Sequence, residues 1–162
     1  MKLPLKFMIF ATLLAGLSVT AKAEDSSGMV VASRGVVVAV ATNGESREIK
    51  QGDFIYVSDE IVTSNRSFAV VQFEDGAKVT VRPNTTLIIE SYLYNGDGDD
   101  EATLNLVEGG LRVITGALAK TNPDKYKVRT PVALMGVRGT EFSVMLCGDE
   151  LCGEDEMVGQ NL

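Results

Sequence analysis

Short stretches of alternating apolar and polar residues, separated by glycine, asparagine and aspartate, run along most of the chain after residue 24. The clearest stretch is Lys78-Val79-Thr80-Val81-Arg82, in which valines alternate with polar residues as on a half-buried strand. Glu74-Asp75-Gly76 before it predicts a tight turn, because glycine accepts the positive φ that hairpins require. The preceding run, Phe68 to Phe73, is apolar on both faces and predicts an interior partner strand.

No stretch keeps the 3.6-residue period of an amphipathic helix, so the fold class is predicted to be all-β. Loops are predicted at Gly44 to Gln51 and at Asn95 to Glu101 from their composition. Further strands are predicted at Gly35 to Ala41, Phe54 to Val57, Thr86 to Tyr94, Thr103 to Val107, Leu111 to Thr115, Tyr126 to Thr130 and Glu141 to Leu146.

Turn residues recur about every ten residues, which suits a sandwich, a barrel or a solenoid. Leu104 to Ile114 repeats the strand, glycine turn and strand of Phe68 to Val81. This weak internal repeat favours a twisted, solenoid-like arrangement over a sandwich or a barrel.

The first residues have the composition of an export signal. Lys2 and Lys6 precede an apolar run from Phe7 to Val19, and Ala21-Lys22-Ala23 gives a small-x-small cleavage pattern. The apolar run is shorter than the roughly 18 residues that cross a bilayer, so a permanent anchor is the weaker interpretation. We therefore expect residues 1–23 to be a signal peptide, and the mature protein to be periplasmic or secreted, with no stable membrane span.

The chain holds 22 acidic and 15 basic residues, a formal net charge of −7. The predicted signal removes three lysines and no acid, so the mature protein is more acidic still. This balance argues against a nucleic acid partner, because phosphates require clustered lysine and arginine. The remaining length suits one β domain over residues 24–146, followed by a short acidic tail over residues 147–162.

The sequence contains no histidine, the commonest general base and metal ligand. No Ser-x-x-Lys or Gly-x-Ser-x-Gly pattern offers an activated serine. A hydrolase built on a carboxylate pair stays open in principle, since acids are plentiful. We predict that the protein is not an enzyme and carries no cofactor.

Two further features suggest local chemistry. Asn95, Asp97 and Asp99 alternate like the first oxygen ligands of a calcium loop, but Asp100 stands where that loop needs glycine and Leu106 where it needs glutamate. A solvated hairpin tip is therefore favoured over a metal site. Cys147 and Cys152 are the only cysteines, and in an exported protein a disulfide between them is the default expectation.

Two segments together resemble the FecR domain. The first runs from Gly52-Asp53 to Ile61-Val62-Thr63-Ser64 and continues from Ser67-Phe68-Ala69-Val70-Val71-Gln72-Phe73-Glu74-Asp75-Gly76 through Ala77-Lys78-Val79-Thr80-Val81-Arg82-Pro83-Asn84-Thr85-Thr86-Leu87. The second is Thr130-Pro131-Val132-Ala133-Leu134-Met135-Gly136-Val137-Arg138-Gly139-Thr140-Glu141-Phe142-Ser143-Val144. The resemblance covers residues from about Gly28 to Val144.

The resemblance implies a β-rich, solenoid-like fold that binds or relays without catalysis. The domain is found in exported regions of bacterial iron-uptake regulators and in many stand-alone envelope proteins. In the best-described members a cytoplasmic anti-sigma segment and one membrane helix accompany this domain, which contacts the signalling domain of an outer-membrane transporter. Here we expect neither the cytoplasmic segment nor the retained helix, which puts direct control of a sigma factor in doubt. The family usually adds further strands after the Arg-Gly-Thr strand, so either Met145 to Leu162 complete the fold or the copy is truncated.

Gly136-Val137-Arg138-Gly139-Thr140 is the segment expected to matter most. Arg138, Thr140 and Glu141 are the candidate partner-binding residues, because a guanidinium presents a planar fork of donors to a carboxylate or a carbohydrate. In the structural alternative, the glycines permit a tight bend and Arg138 pairs with Glu141 or with turn carbonyls. The predicted partner is an envelope protein, with a structural or adhesive surface protein that binds glycan as the alternative function.

Overall fold

The computed structural model describes residues 26–96 and 98–147. Nearly all regular structure in this part of the chain is extended, with a single short helix and one 3₁₀ turn. The elements are β1 (Ser26–Arg34), β2 (Val37–Val40), β3 (Ser46–Glu48), β4 (Phe54–Tyr56), β5 (Glu60–Thr63), β6 (Phe68–Phe73), β7 (Lys78–Val81), β8 (Thr85–Leu93), β9 (Glu101–Glu108), β10 (Gly110–Ile114), α1 (Ala117–Thr121), a 3₁₀ turn (Pro123–Lys125), β11 (Tyr126–Arg129), β12 (Leu134–Gly136) and β13 (Glu141–Met145).

The strands form two sheets. The six-stranded sheet has the order β13-β10-β7-β6-β1-β4, and the seven-stranded sheet has the order β12-β11-β9-β8-β5-β2-β3. Neighbouring strands pair antiparallel except β9 and β11, which are parallel. The chain crosses repeatedly from one sheet to the other, so strands close in sequence often belong to different layers.

Both sheets bury one face in a common core. Alternate residues are buried along the strands, as on β10, β8 and β9, and the buried residues of the two sheets form one hydrophobic cluster. Phe73 of β6 and Tyr92 of β8 stack across the layers, with ring centroids 4.1 Å apart and an interplanar angle of 11°. The all-β prediction is confirmed.

The predicted solenoid-like coiling is not shown by this topology. A solenoid stacks successive coils side by side, whereas nearly every strand pair here is antiparallel. The similarity in sequence between Leu104 to Ile114 and Phe68 to Val81 does not correspond to a structural repeat. β6 and β7 pair with each other, whereas β9 and β10 belong to different sheets. The chain passes from β9 in one sheet to β10 in the other at Gly109, which has φ of +79°. A Cβ there would lie 2.3 Å from the carbonyl oxygen of Asn84, so this position requires glycine.

The strongest local patterns give the correct strands. β6 has the predicted bounds and is an interior strand, β7 follows it after the Gly76 turn, and β13 lies at a sheet edge. The predicted loop at Gly44 to Gln51 is wrong in part, because it contains β3. β3 is short, polar and at an edge, so it carries no apolar alternation by which to recognise it.

The predicted signal peptide and most of the acidic tail lie outside the described residues. Among residues 26–96 and 98–147, no helix is long and apolar enough to cross a membrane. The sites discussed below all belong to the two-sheet domain.

Candidate functional site at the C-terminal sheet edges

Residues 137–141, called here the edge loop, connect the edges of the two sheets. β12, which ends at Gly136, is the outermost strand of the seven-stranded sheet. β13, which begins at Glu141, is the outermost strand of the six-stranded sheet. The segment that the sequence singled out therefore spans the gap between the layers at one side of the domain.

Backbone and hydroxyl contacts fix the edge loop. The Val137 side chain is buried, and its N–H donates to the carbonyl of Tyr126 at 3.0 Å. Thr115 holds the far end: its hydroxyl donates to the Gly139 carbonyl at 2.7 Å, and its N–H donates to the Thr140 carbonyl at 2.9 Å. These contacts lie in the loop backbone and leave its outer side chains exposed.

Gly139 adopts φ of +139°, a conformation that side chains with a Cβ rarely occupy. No other atom lies within 4 Å of a Cβ built at this position, so the need for glycine is conformational and not a matter of space. Gly136, the last residue of β12, also faces open space but has no positive φ. Of these two glycines, only Gly139 makes the bend.

Arg138 projects from the edge loop with 78% of its side chain exposed. Its Nη2 donates to Oδ1 of Asp124 at 3.2 Å, and the Asp124 side chain is itself 86% exposed. The expected pairing of Arg138 with Glu141 is wrong. Glu141 accepts instead from Arg112, its diagonal neighbour on β10, at 2.7 Å from Nε and 2.6 Å from Nη2.

The three predicted residues are thus all exposed, and neither ion pair joins two of them. Thr140 is exposed between Arg138 and Glu141, and the outer ion pairs lie on either side of it. Exposed ion pairs contribute at most about 1 kcal/mol, because water already solvates both groups. The pair between Arg138 and Asp124 therefore adds little to the stability of the fold.

Sequence reasoning missed the residues that surround the edge loop. Arg112 and Asp124 are brought to it only by sheet pairing and by the 3₁₀ turn, which no local pattern reveals. Val132 and Leu134 next to it are 86% and 57% exposed. Their spacing two apart after Pro131 is the one signal that a strand with an outward apolar side could begin there.

The calcium candidates do not assemble a metal site in the described residues. Asp100 is 2% exposed, and its Oδ1 accepts from the N–H groups of Asn95 and Gly96 at 2.7 and 3.1 Å. This carboxylate therefore organises the hairpin tip. No group of three potential ligands that could hold a metal occurs in the part of the chain described, and Asp97 lies outside it.

Cys147 follows β13 by two residues, at the end of the described chain. Cys152 lies outside the described residues, so its disulfide with Cys147 stays a prediction.

Besides Asp100, two further buried carboxylates lie away from the edge loop. Asp75, in the β6–β7 turn, accepts from Tyr92 Oη, and Asp59, after β4, accepts from Arg47. Burial raises the pKa of Tyr92 and of Tyr126 well above their usual range, and the hydrogen bond to Asp59 raises the pKa of Arg47. Each of these carboxylates is fully used in holding turns and strand ends together, which makes them structural groups.

Comparison with known proteins decides the family. Residues 59–151 match the family described as FecR protein, which is more than half of the chain. The chain belongs to the FecR family. The FecR match begins just before β5 and includes the whole edge loop, so the candidate surface is part of the family domain.

Other comparisons add little to the FecR assignment. A solved structure described as "Cell surface anchoring domain" is similar over 38% of this chain and 82% of its own, with 24% identity and a TM-score of 0.37. No curated protein matches the chain.

Proposed function

We propose that this FecR protein is an exported, non-catalytic module of the bacterial envelope that binds another envelope protein through its edge loop. Membership of the FecR family supports a role in envelope signalling. The N-terminal sequence pattern supports export, and the lack of histidine supports binding over catalysis.

The exposed guanidinium of Arg138 is the observation that carries this proposal. Its side chain leaves a loop whose backbone is fixed by Thr115 and Val137, so the point from which the guanidinium reaches out is set before a partner arrives. Its present partner, Asp124, is more exposed than Arg138 itself. Preorganised donors with a weak resident acceptor suit recognition of a partner carboxylate by a bidentate pair.

Photo-crosslinking in the native envelope tests this function directly. A photoreactive amino acid replaces Thr140 in the edge loop, and the matched control replaces Thr42, which is exposed in the turn at the opposite side of the seven-stranded sheet. We expect a discrete protein adduct at position 140 and none at position 42. The substitution Arg138→Ala should reduce that adduct, while Arg138→Lys should retain part of it.

Two outcomes would contradict the proposal. An adduct of equal yield at both positions would show nonspecific contact. A heterogeneous adduct at position 140 that disappears after glycosidase treatment would show a glycan partner, and would support the alternative of an adhesive surface protein.

Export has a separate test. Intact-mass measurement of the protein recovered from the periplasm or the medium should show Glu24 as the first residue, because cleavage is expected after Ala23. Recovery from the cytoplasm with Met1 retained would overturn the proposed location.

A further inference from the structure

The described residues contain four sheet edges, and the edge strands at one side are protected. β3 is only Ser46–Glu48, and its last residue, Glu48, forms an exposed ion pair with Lys50, which discourages further pairing. The edge groups of β4 are already occupied: the Phe54 carbonyl accepts from Arg47 at 3.2 Å, and the Tyr56 N–H donates to Asp59 at 2.8 Å. This side of the domain cannot readily accept another strand.

β13 at the other side carries an exposed ion pair through Glu141 and Arg112, but among the described residues nothing occupies its outward backbone groups. Along β13, residues whose backbone groups bond to β10 alternate with residues whose backbone groups face away from it. The Thr115 N–H donates to the Thr140 carbonyl, and the Leu146 N–H donates to the Gly109 carbonyl. Thr140 and Leu146 therefore face β10, which tells which residues between them do so. By this alternation Phe142 and Val144 direct their N–H and C=O groups towards β10. Glu141, Ser143 and Met145 direct theirs outward, where no described residue pairs with them.

The inward side chains of β13 are incompletely covered. Phe142, Val144 and Leu146 pack against the core but are only half-buried. On the facing sheet the last strand is β12, whose Leu134 is 57% exposed and whose Met135 is also half-buried. The apolar layer between the sheets therefore opens outward beside a row of unpaired backbone groups.

We propose that β13 accepts an extended segment of a partner protein as an added antiparallel or parallel strand. The backbone of that segment would pair with the outward groups of Glu141, Ser143 and Met145. Its alternate side chains would extend the apolar layer over Phe142 and Val144, as in other cases of strand addition to a sheet edge. This inference rests on the proposed function and names the form in which the partner binds.

The charge of the protein around β13 indicates which kind of partner segment would bind. The chain has a net charge of −7, although the exposed Glu141 of β13 is itself paired with Arg112. The sequence after β13 adds five acids, Asp149, Glu150, Glu154, Asp155 and Glu156. Two copies of this chain repel each other, whereas a segment that alternates apolar and basic residues is attracted to the edge. We therefore commit to a basic, alternating partner strand over a second copy.

The test uses a synthetic eight-residue peptide that alternates valine and lysine, with binding to the full mature chain followed by fluorescence anisotropy. The decisive variant is Ser143→Pro, which removes an outward N–H but none of the bonds to β10, so the strand can still form. Ser143→Ala keeps that N–H and is the matched control. Melting curves for both variants establish that they are folded.

We expect saturable binding to the wild-type chain and to Ser143→Ala, and a loss of about tenfold in affinity for Ser143→Pro. A peptide methylated on alternate backbone nitrogens should also bind the unaltered protein more weakly, which tests the pairing even if Ser143→Pro is unstable. A valine and glutamate peptide should bind more weakly because of its charge.

Equal affinity for Ser143→Pro and Ser143→Ala, together with unchanged binding of the methylated peptide, would overturn the proposal. A wild-type dimer in sedimentation that Ser143→Pro converts to a monomer would also overturn it, because a second copy would then occupy the edge. Lys50→Ala, beside the β3 edge, should leave peptide binding unchanged. The peptide assay measures pairing with β13 and the crosslink measures contact at position 140, so failure of one is distinguishable from failure of the other.

Discussion

The hydroxyl of Tyr92 on β8 donates a 2.6 Å hydrogen bond to Oδ1 of Asp75 in the β6–β7 turn, joining the two sheets at one end of the core. The same carboxylate accepts from the N–H of Ala77 at 2.9 Å and from the N–H of Leu118 at 3.2 Å. Asp75 is 7% exposed. One buried side chain therefore closes the hairpin turn and holds the start of α1.

Replacing Asp75 tests this role. Asp75→Ala leaves three donors without their acceptor and should lower the free energy of unfolding by about 3 kcal/mol or more. Urea denaturation measures the change. Glu74→Ala is the matched control, because Glu74 is the exposed neighbour in the same turn, and it should change stability by less than about 0.5 kcal/mol. Equal effects for the two variants would contradict the role given to Asp75.

Stability should fall at alkaline pH. Burial holds the pKa of Tyr92 and of Tyr126 above their usual range in the folded protein, so the folded state keeps protons that the unfolded state releases. The contribution of the two tyrosines is fully present below the unfolded pKa of about 10 and is lost as pH rises above it, by about 1.4 kcal/mol per pH unit for each group.

Tyr126→Phe separates one of the two groups. Its hydroxyl is buried and has no hydrogen-bond partner among the described residues, so its removal should change stability at neutral pH by less than about 1 kcal/mol. Denaturation between about pH 9 and pH 11 should then show a shallower decline than the wild type. An unchanged slope would mean that Tyr126 ionises in the folded state.

The ion pair of Arg47 and Asp59 should stabilise the protein far more than a surface pair. Nη2 and Nη1 of Arg47 lie 2.6 and 3.1 Å from the Asp59 carboxylate, which is 2% exposed. Arg47→Ala leaves that charge buried without its cation, which should cost about 3 kcal/mol. Lys50→Ala, which breaks the exposed pair with Glu48, should cost less than about 0.5 kcal/mol.

Arg47→Ala should also favour aggregation, because it frees the edge carbonyl of Phe54 on β4. Light scattering of the folded variant, compared with Lys50→Ala at equal concentration, measures this. A variant that is destabilised but stays monomeric would confine the role of Arg47 to the ion pair.

The edge loop should depend on Gly139 for folding and on Arg138 for binding alone. Gly139→Val places a β-branched side chain at φ of +139° and should cost about 1 to 3 kcal/mol. Arg138→Ala removes only an exposed pair with Asp124 and should stay within about 0.5 kcal/mol of the wild type. Thermal melts decide between the two, and an unfolded Arg138→Ala beside an intact Gly139→Val would reverse the assignment.

The sequence predicts those parts of the fold that local patterns determine. The β6–β7 hairpin follows from an apolar run, a glycine turn and a strand of alternating valines, all adjacent in the chain. Four strands, β1, β3, β5 and β12, escape prediction. β3 and β12 are three-residue edge strands that are defined by their neighbours and not by their own residues, and β5 has only four residues between turns. β1 contains Gly28 and three serines, which are typical of loops, around its short apolar run. The choice between a solenoid and two antiparallel sheets depends on which distant strands pair with each other. The spacing of turns along the chain does not reveal this.

The candidate site was predictable in the same partial way. The glycines and Arg138 stand out by residue type, and the structure places Arg138 and Gly139 on an exposed loop and Gly136 at the end of β12. Their ion-pair partners do not stand out, because Asp124 and Arg112 reach the loop region from other elements. The unpaired edge of β13 follows only from the phase of its hydrogen bonds with β10.

The last prediction concerns the end of β13, where Cys147 is expected to form an intramolecular disulfide with Cys152. The two cysteines are the only ones in the chain, and export would bring them into an oxidising compartment. Closing so short a loop should contribute about 2 kcal/mol in the chain-entropy model, so its effect would be mainly on local order near the strand edge.

Protein purified without reductant and treated with iodoacetamide should keep its unmodified mass, and should gain two carbamidomethyl groups only after reduction. Two modified cysteines before reduction would contradict the disulfide. A reductant-sensitive dimer would instead place the cysteines in a bridge between copies, and would also compete with the partner strand proposed for β13.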